Sequence, residues 1–257
     1  MKLYIIIPAY NEEKRIGKTL EEFITFFKKS NNNFEIITVL NNCKDNTLGV
    51  VENKKKVLGH IKILNFSRGG KGFAIKEGFK EAFKFSKDGD LIGFVDADMA
   101  TSPKSFSDLI FDHKNYDGAI ACRHCKNSKS NTSKKRKITS LGFNFITRGI
   151  LIIPYKDTQC GAKLFTKHAV DEILRNPPIA QWAFDAEILY NLYRKGYRIK
   201  QVPTVWEDKT GGSVNLLKTP IQMFFSIIRL RLNNSILKGI VRLYDKLPEK
   251  VKIHHLI

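Results

Sequence analysis

The most informative stretch of the chain is an apolar run that ends in two carboxylates, Leu91-Ile92-Gly93-Phe94-Val95-Asp96-Ala97-Asp98. Because side chains alternate along a strand, Asp96 and Asp98 project in the same direction at its end. The apolar residues before them supply no counter-charge, so the two carboxylates repel each other unless a cation or a proton intervenes. A hard divalent ion, Mg²⁺ or Mn²⁺, resolves that repulsion. The alternative is a solvated turn in which Thr101 or Ser102 caps a helix that begins at Pro103.

Short apolar runs like this one recur along the chain and alternate with amphipathic segments of helical length. We predict strands at Leu3–Ile7, Phe34–Leu40, Ile61–Asn65, Leu91–Val95, Gly118–Cys122 and Ile199–Trp206. We predict helices at Glu12–Lys29, Thr47–Leu58, Lys71–Ser86, Lys104–His113, Ile138–Ile152, Lys167–Arg175 and Phe184–Lys195. The alternation is typical of an α/β fold with a mainly parallel sheet flanked by helices. In such sheets ligands bind beyond the carboxyl ends of the strands.

Two further motifs fall at such strand ends. Pro8-Ala9-Tyr10-Asn11-Glu12 follows the first strand, where Tyr10 could stack on a base and Glu12 could accept from its polar edge. The alternative is a simple helix start with Asn11 as its cap. The second motif, Arg68-Gly69-Gly70-Lys71-Gly72, allows close backbone approach at a helix N-terminus, where Lys71 favours an anion.

Composition points to one catalytic domain and an anionic partner. The chain has 257 residues, and its 42% hydrophobic content suffices for one full core. We therefore expect a catalytic domain over residues 1–215 and a helical tail over 216–257. The formal net charge of +19 favours nucleic acid, anionic lipid headgroups or a phosphorylated substrate. Nucleic acid is disfavoured because no helix-turn-helix, zinc-finger or RNA-binding aromatic motif is present.

Four cysteines bear on metal and redox chemistry. Cys122 and Cys125 have the two-residue spacer of zinc or redox sites, but no second Cys/His pair completes a tetrahedral site. We predict that all four, Cys43 and Cys160 included, are reduced thiols in a cytosolic setting. No stretch of about 20 uncharged apolar residues and no signal-peptide pattern occurs, so we expect no transmembrane span.

Two basic segments suggest contact with an anionic surface. Residues 126–137 form a polar, basic stretch that we predict to be a loop. We expect this loop to be mobile without ligand and to become ordered when an anionic lipid acceptor binds. The alternative is a solvated loop with no specific role. From Leu216 to Leu243, apolar residues alternate with Lys and Arg in an amphipathic helical pattern. This tail either lies in a membrane interface or packs on the catalytic domain.

Taken together, these motifs resemble the family-2 glycosyltransferases with the GT-A fold. The match rests on the motifs at 8–12, 70–72 and 96–98, on Arg123, and on two later runs, Asp157-Thr158-Gln159-Cys160-Gly161-Ala162-Lys163-Leu164-Phe165 and Trp182-Ala183-Phe184-Asp185-Ala186-Glu187. The later runs look like the branch that makes dolichyl-phosphate sugars, and they fit its glucosyltransferases better than its mannose synthases. The resemblance implies metal-dependent, inverting transfer of a hexose to a dolichyl or polyprenyl phosphate. Glucose from UDP-glucose is the leading candidate for that hexose.

The resemblance also implies site residues. Nucleotide-sugar contacts fall to Pro8, Ala9, Tyr10, Glu12, Asn41, Lys71, Asp96, Ala97 and Lys209, and metal contacts to Asp96 and Asp98. Arg123, Arg136 and Lys137 would lie near the acceptor phosphate. Asp98, Asp185 and Arg123 would serve catalysis. Asp185 would position the sugar or the acceptor if that acceptor is an ionised phosphate, and would be the leading base candidate if it is a hydroxyl.

Departures and rivals leave several choices open. Leu40-Asn41-Asn42-Cys43 stands where the family has two acidic residues before Gly-Ser, which leaves uridine or guanosine undecided. Gly212-Ser213-Val214 lacks one expected cation. Rival functions are transfer to a glycan or glycolipid hydroxyl, nucleic-acid binding, and nucleotidyl transfer, for which an N-terminal Gly-rich loop is missing. We expect a peripheral enzyme on the cytoplasmic face of a membrane, with its oligomeric state undetermined.

Overall fold

The computed structural model describes residues 1–111, 114–176, 183–207, 218–236 and 238–239. Its strands are β1 (Leu3–Ala9), β2 (Phe34–Asn41), β3 (Ile61–Phe66), β4 (Leu91–Val95), β5 (Gly118–Cys122), β6 (Lys129–Asn131), β7 (Ala162–Thr166), β8 (Ile199–Pro203) and β9 (Val205–Glu207). Its helices are α1 (Ile16–Lys29), α2 (Thr47–Leu58), α3 (Lys71–Phe85), α4 (Pro103–Ser107), α5 (Lys134–Leu151), α6 (Lys167–Arg175), α7 (Phe184–Arg194) and α8 (Lys218–Asn233).

A seven-stranded sheet in the order β3-β2-β1-β4-β7-β5-β8 forms the centre of the molecule. The pairs β1/β2, β1/β4, β2/β3 and β5/β8 are parallel, which confirms the predicted mainly parallel α/β sheet. Strand β7 was missed by the sequence analysis. It lies between β4 and β5 and is antiparallel to both. The sequence of residues 157–165 was interpreted only as a family motif, and the five residues of β7 are too few to show a periodic pattern.

The sheet is buried on both faces, which is why its strands read as continuous apolar runs. Alternate residues of β1 enter different layers: Leu3, Ile5 and Ile7 pack with α1, whereas Tyr4 and Ile6 pack with α3, α6 and α7. A third apolar cluster lies beneath Ile120 of β5 and joins α5, α7 and α8. The carboxyl ends of β1, β2 and β4 therefore reach the same edge with both faces covered.

Several predicted boundaries were wrong. The helix expected from Glu12 begins at Ile16, and the one expected at Lys104–His113 is the single turn α4, capped by the Ser102 hydroxyl. The expected strand Ile199–Trp206 is divided into β8 and β9. Residues 126–137 are not simply a loop, because they include β6 and the first turn of α5. That turn begins at Ser133, whose side chain accepts from the Arg136 amide.

The cysteine prediction was also partly wrong. Cys122 and Cys125 form a disulfide, while Cys43 and Cys160 are free. Cys122 ends β5 and the turn brings Cys125 back beside it, so the two thiols meet across a single tight turn. The bridge encloses Arg123 and His124.

Helix α8 packs on the catalytic domain along part of its surface, and its contact with a membrane stays a prediction. Ile227 and Leu230 are buried in the cluster shared with α5 and α7, whereas Phe224 and Phe225 are exposed. The boundary placed at residue 215 falls among 208–217, outside the described residues. Within the described part of the chain, no helix is both long and apolar enough to cross a membrane.

The close pairing of β4 with β7 gives a test of this topology. A Cβ on Gly93 would lie 2.3 Å from the Lys163 carbonyl oxygen and 2.7 Å from Leu164 Cδ1. We expect Gly93→Ala to lower the free energy of unfolding by about 1–3 kcal/mol, because backbone must move to admit the methyl group. The measurement is urea unfolding followed by circular dichroism.

The matched control is Gly142→Ala in α5, where a Cβ would meet nothing within 4 Å. There we expect no loss and a gain of up to about 1 kcal/mol, because alanine favours the helix. Equal effects at the two glycines would contradict the antiparallel placement of β7.

Candidate active site at the carboxyl edge of the sheet

Four charged side chains of alternating sign run along the edge beyond β4. Lys163 Nζ donates to Asp185 Oδ1 at 2.5 Å and to the Cys160 carbonyl oxygen at 2.6 Å. Lys71 Nζ lies 3.7 Å from Asp185 Oδ2 and 2.6 Å from Asp96 Oδ1. Thus Lys163, Asp185, Lys71 and Asp96 form one continuous chain of ion pairs, which we call the charge chain. Its lysines come from β7 and α3, and its carboxylates from α7 and the end of β4.

The buried member of the charge chain is Lys163, whose side chain is 0% exposed, against 17% for Asp185. The predicted alternative of a solvated helix face for Asp185 and Glu187 was wrong, because Glu187 is buried as well. A buried ammonium is costly unless it is paired, so Lys163 and Asp185 hold each other in place. Asp185 is therefore held through Oδ1 by the enclosed Lys163, while Lys71 lies near its Oδ2.

Asp96 and Asp98 lie where the sequence predicted, at the end of β4. The Asp96 amide donates to the Gly161 carbonyl, and its Oδ2 fits against Gly161 so closely that a Cβ there would lie 1.7 Å from it. Asp98 Oδ1 accepts from the Ala100 amide at 3.0 Å. Burial raises the pKa of Asp96, and the negative charges of Asp98 and Asp185 add to that rise, while Lys71 opposes it. The electrostatics thus favour a further cation here.

These residues fit a hard divalent ion. Asp96 and Asp98 supply anionic oxygens from one strand end, which is the donor chemistry that Mg²⁺ and Mn²⁺ prefer. No group of three or more His, Cys, Asp or Glu side chains suited to a metal occurs among the residues that the structure describes. Two carboxylates alone bind such an ion weakly, and water and a bound phosphate group would add oxygen ligands to its shell.

The residues predicted to meet the nucleotide surround this edge. Tyr10 is 51% exposed beside it, whereas Ala9 and Ala97 are buried. The Glu12 carboxylate receives two hydrogen bonds of 2.7 Å from Arg15, a cation that lies near enough to feel the charge of Asp98. Arg15 was not singled out from the sequence. It places an additional positive charge beside the carboxylate pair.

Asn41 ends β2 and is buried. In the amide orientation that satisfies its neighbours, it donates to the Ala9 carbonyl at 2.6 Å and accepts from the Gly70 amide at 3.2 Å. Its side chain thereby joins the ends of two strands to the turn that carries Lys71. Gly70 has φ +119°, a conformation that side chains other than glycine rarely adopt.

Arg123 is held just beyond β5. Its Nε and Nη2 donate to Asp157 at 2.7 and 2.8 Å, and its amide donates to the same carboxylate. Burial opposes the charge on both partners, but their mutual hydrogen bonding outweighs it, so the pKa of Arg123 is raised and that of Asp157 is lowered. The charged guanidinium is thus fixed with one edge committed to Asp157.

Trp206 of β9 brings the predicted acceptor cations together. The guanidinium carbons of Arg123 and Arg136 lie 5.3 and 5.7 Å from its ring centroids, within cation–π range. Lys137 is exposed on the same turn of α5 as Arg136 and near enough to lower the pKa of His124, where burial is the larger cause. Arg123, Arg136 and Lys137 therefore form one basic region, and their contact with an acceptor phosphate stays a prediction. Lys209 lies outside the described residues, as does Trp182.

Comparison with known proteins identifies the chain. The family model described as glycosyl transferase family 2 matches residues 4–174. The chain belongs to glycosyl transferase family 2. It is thus a glycosyltransferase, as the motifs indicated. Among its relatives, the dolichyl-phosphate beta-glucosyltransferase of Dictyostelium discoideum is 31% identical over 245 residues, which are 89% of this chain and 73% of the relative. The human protein of the same name is 29% identical, with 90% and 75% covered.

Solved structures of the same fold include two synthases of phosphoglycerate glycosides. Mannosyl-3-phosphoglycerate synthase from Rubrobacter xylanophilus superposes with a TM-score of 0.68 at 16% identity, over 97% of this chain and 79% of that one. Glucosyl-3-phosphoglycerate synthase from Mycobacterium tuberculosis, solved with Mn²⁺, UDP-glucose and phosphoglyceric acid, superposes with a TM-score of 0.66 at 16% identity, over 90% and 79%. The GT-A fold expected for this family-2 chain is confirmed.

The Arg123–Asp157 pair gives a test of the site. We expect Asp157→Asn to lower the free energy of unfolding by about 3–5 kcal/mol at pH 7, because it leaves a buried guanidinium without its counter-charge. The pKa of Asp157 is depressed in the folded protein, so its stabilising effect is present above the unfolded value near pH 4 and is lost as pH falls. The difference in the free energy of unfolding between the wild type and Asp157→Asn should therefore shrink as the pH falls.

Urea unfolding at a series of pH values measures this. The control is Asp171→Asn, which removes an exposed pair with Arg175 on α6 and should cost no more than about 0.5 kcal/mol. A stability gap for Asp157→Asn that stays constant from neutral to acidic pH would contradict the assigned pair.

Proposed function

We propose that this family-2 glycosyltransferase moves a hexose, glucose from UDP-glucose, with inversion onto a dolichyl or polyprenyl phosphate. The observation that carries the proposal is that two charged regions, one rich in carboxylates and one basic, lie at the same edge of the sheet. The carboxylates Asp96 and Asp98 with Lys71 suit a cation and a diphosphate, and Arg123 with Arg136 suits a second phosphate. The names of the relatives, dolichyl-phosphate beta-glucosyltransferases, support transfer of glucose to a dolichyl phosphate.

On the donor side, Asp96 and Asp98 hold Mg²⁺ or Mn²⁺, and Tyr10 offers an exposed ring to the base. The ion supplies charge stabilisation for the leaving diphosphate. Lys71 and the N-terminus of α3 place positive charge toward the same group. Pro8, Ala9 and Ala97 shape the walls of the donor site, the buried Asn41 side chain holds the turn at Gly70, and Glu12 acts through Arg15. Lys209 remains a proposed donor contact.

On the acceptor side, Arg123 binds the lipid phosphate, with Arg136 and Lys137 beside it. Because a phosphate monoester is largely ionised near neutrality, it attacks without needing its proton removed. The structure gives Asp185 two lysine partners, and a carboxylate engaged in this way is a poor proton acceptor. We therefore assign Asp185 to positioning the sugar or the acceptor. Transfer to a hydroxyl, the alternative function, would require it as the base.

We propose further that the enzyme works as a peripheral protein on the cytoplasmic face of a membrane, and that α5 contacts the bilayer together with the exposed part of the tail helix. Ile138, Leu141 and Phe145 lie on one face of α5 and are all exposed, Phe145 to 77%, and Ile152, just after the helix, is exposed as well. Two grooves of about 440 and 450 Å³ flank Phe145, and Arg148 lines both. An apolar stripe beside cations is suited to a membrane that contains anionic lipid.

The activity prediction uses labelled UDP-glucose and GDP-mannose with polyprenyl phosphate in detergent and Mn²⁺. We expect labelled lipid from UDP-glucose, and we expect Asp98→Asn to lower the rate by at least about 100-fold, because charge on the leaving group is no longer balanced. Asp171→Asn is the matched surface control. Asp185→Asn should have a milder effect.

Other outcomes discriminate directly. Loss of transfer in Asp185→Asn as severe as in Asp98→Asn, together with transfer to a glycolipid hydroxyl, would favour the alternative acceptor. Turnover of GDP-mannose alone would overturn the proposed donor. No lipid product from any donor would refute the function.

The membrane prediction uses sedimentation with vesicles of phosphatidylcholine and phosphatidylglycerol. We expect Phe145→Glu to weaken binding about tenfold, because it removes a large apolar group and adds repulsion. Val57→Glu on α2 is the matched control, since Val57 is 76% exposed on another helix. Both variants should bind UDP and Mn²⁺ like the wild type. Equal binding of both variants to vesicles would contradict the role of α5.

A further inference from the structure

Lys71 occupies the position of a cation in the charge chain. Its Nζ lies 2.6 Å from Asp96 Oδ1, and the negative charges of Asp185 and Asp98 also act on it. The short contact with Asp96 and the nearby carboxylates hold the ammonium in place. Lys71 thus neutralises the same carboxylate that the proposed function assigns to the divalent ion.

The two carboxylate oxygens of Asp96 have different surroundings. Oδ2 faces Gly161, where not even a methyl group would fit, whereas Oδ1 faces Lys71. On Asp98, Oδ1 already accepts from the Ala100 amide. A cation that reaches both carboxylates must therefore compete with Lys71 for Asp96, or share that oxygen at the cost of placing two positive charges side by side.

Lys71 can leave this position more readily than Lys163 can. The Lys71 side chain is 39% exposed and extends from the first residue of α3, whereas Lys163 is enclosed and also bonded to a backbone carbonyl. Asp185 keeps Lys163 as its partner when Lys71 moves. Among the described members of the charge chain, departure of Lys71 therefore leaves Asp96 as the carboxylate without a paired lysine.

We propose that Lys71 is a placeholder for the divalent cation, and that the donor diphosphate draws it away from Asp96 so that cation and nucleotide bind tightly only together. The inference rests on the proposed function and goes beyond it, because it concerns the order and coupling of binding. The diphosphate gives Lys71 a new anionic partner at the α3 N-terminus and supplies the cation with oxygens that the two carboxylates lack. Each ligand thereby raises the affinity for the other by the same factor.

The test is titration with Mn²⁺, followed by electron paramagnetic resonance of the free ion, with and without UDP. In the wild type we expect weak binding of Mn²⁺ alone and strong enhancement by UDP. Lys71→Met should bind Mn²⁺ alone about fivefold more tightly or better, because the competing ammonium is gone. Its enhancement by UDP should be smaller than in the wild type.

A second variant reports on the other half of the exchange. Asp96→Asn releases Lys71, so we expect metal-free UDP to bind this variant more tightly than the wild type in calorimetry. The double variant Lys71→Met with Asp96→Asn should lose that gain. A gain that survives in the double variant would show that removal of negative charge alone explains it, and would overturn the exchange.

The matched control is Lys80→Met on the same helix, which breaks a comparably exposed pair with Glu77 and should leave Mn²⁺ binding unchanged. Circular dichroism and thermal unfolding establish that each variant is folded. If wild type binds Mn²⁺ with UDP but Lys71→Met binds Mn²⁺ alone no more tightly than Lys80→Met, the placeholder role is refuted and the proposed function stands. If wild type binds no Mn²⁺ even with UDP, both fail.

Discussion

Three carboxylates, Asp96, Asp98 and Asp185, lie close enough at one edge of the sheet to influence one another, and they can coexist there only with cations between them. Lys71 and Lys163 supply such cations. They do so unequally, since one is enclosed and the other reaches the edge from solvent. This need for positive charge explains the construction of the site, and it is also what makes a divalent ion and a diphosphate suitable occupants.

The fold meets the need through β7. Inserted antiparallel between β4 and β5, this strand places Lys163 under Asp185 and, through the turn that precedes it, Gly161 against Asp96. The same turn region carries Asp157, which fixes Arg123 at the end of β5. One short segment therefore connects the region suited to the donor with the region suited to the acceptor phosphate.

Much of this could be predicted from the sequence, and the exceptions have physical causes. The parallel strands were found because burial on both faces makes them short continuous apolar runs, and the long helices because their apolar residues recur on one face. Asp96 and Asp98 were found because two carboxylates after an apolar strand are costly. Lys163 was not identified as a buried partner, because a lysine in a short run gives no sign of where its side chain lies. The positions of Arg15 near Asp98 and of Trp206 beside Arg123 could not be predicted, because they depend on contacts between segments that are distant in the sequence. The disulfide depends on the turn after β5, which the spacing of Cys122 and Cys125 permits but does not require.

The central claim is that Asp96 and Asp98 hold a divalent cation which replaces Lys71 when nucleotide binds. The most direct test is a crystal structure with Mn²⁺ and UDP, with data collected at the manganese absorption edge. The account predicts an anomalous peak in contact with both carboxylates and the diphosphate, with Lys71 Nζ moved from Asp96 to a phosphate oxygen. Nucleotide bound at this edge without manganese at Asp96 and Asp98, or with Lys71 still on Asp96, would contradict it.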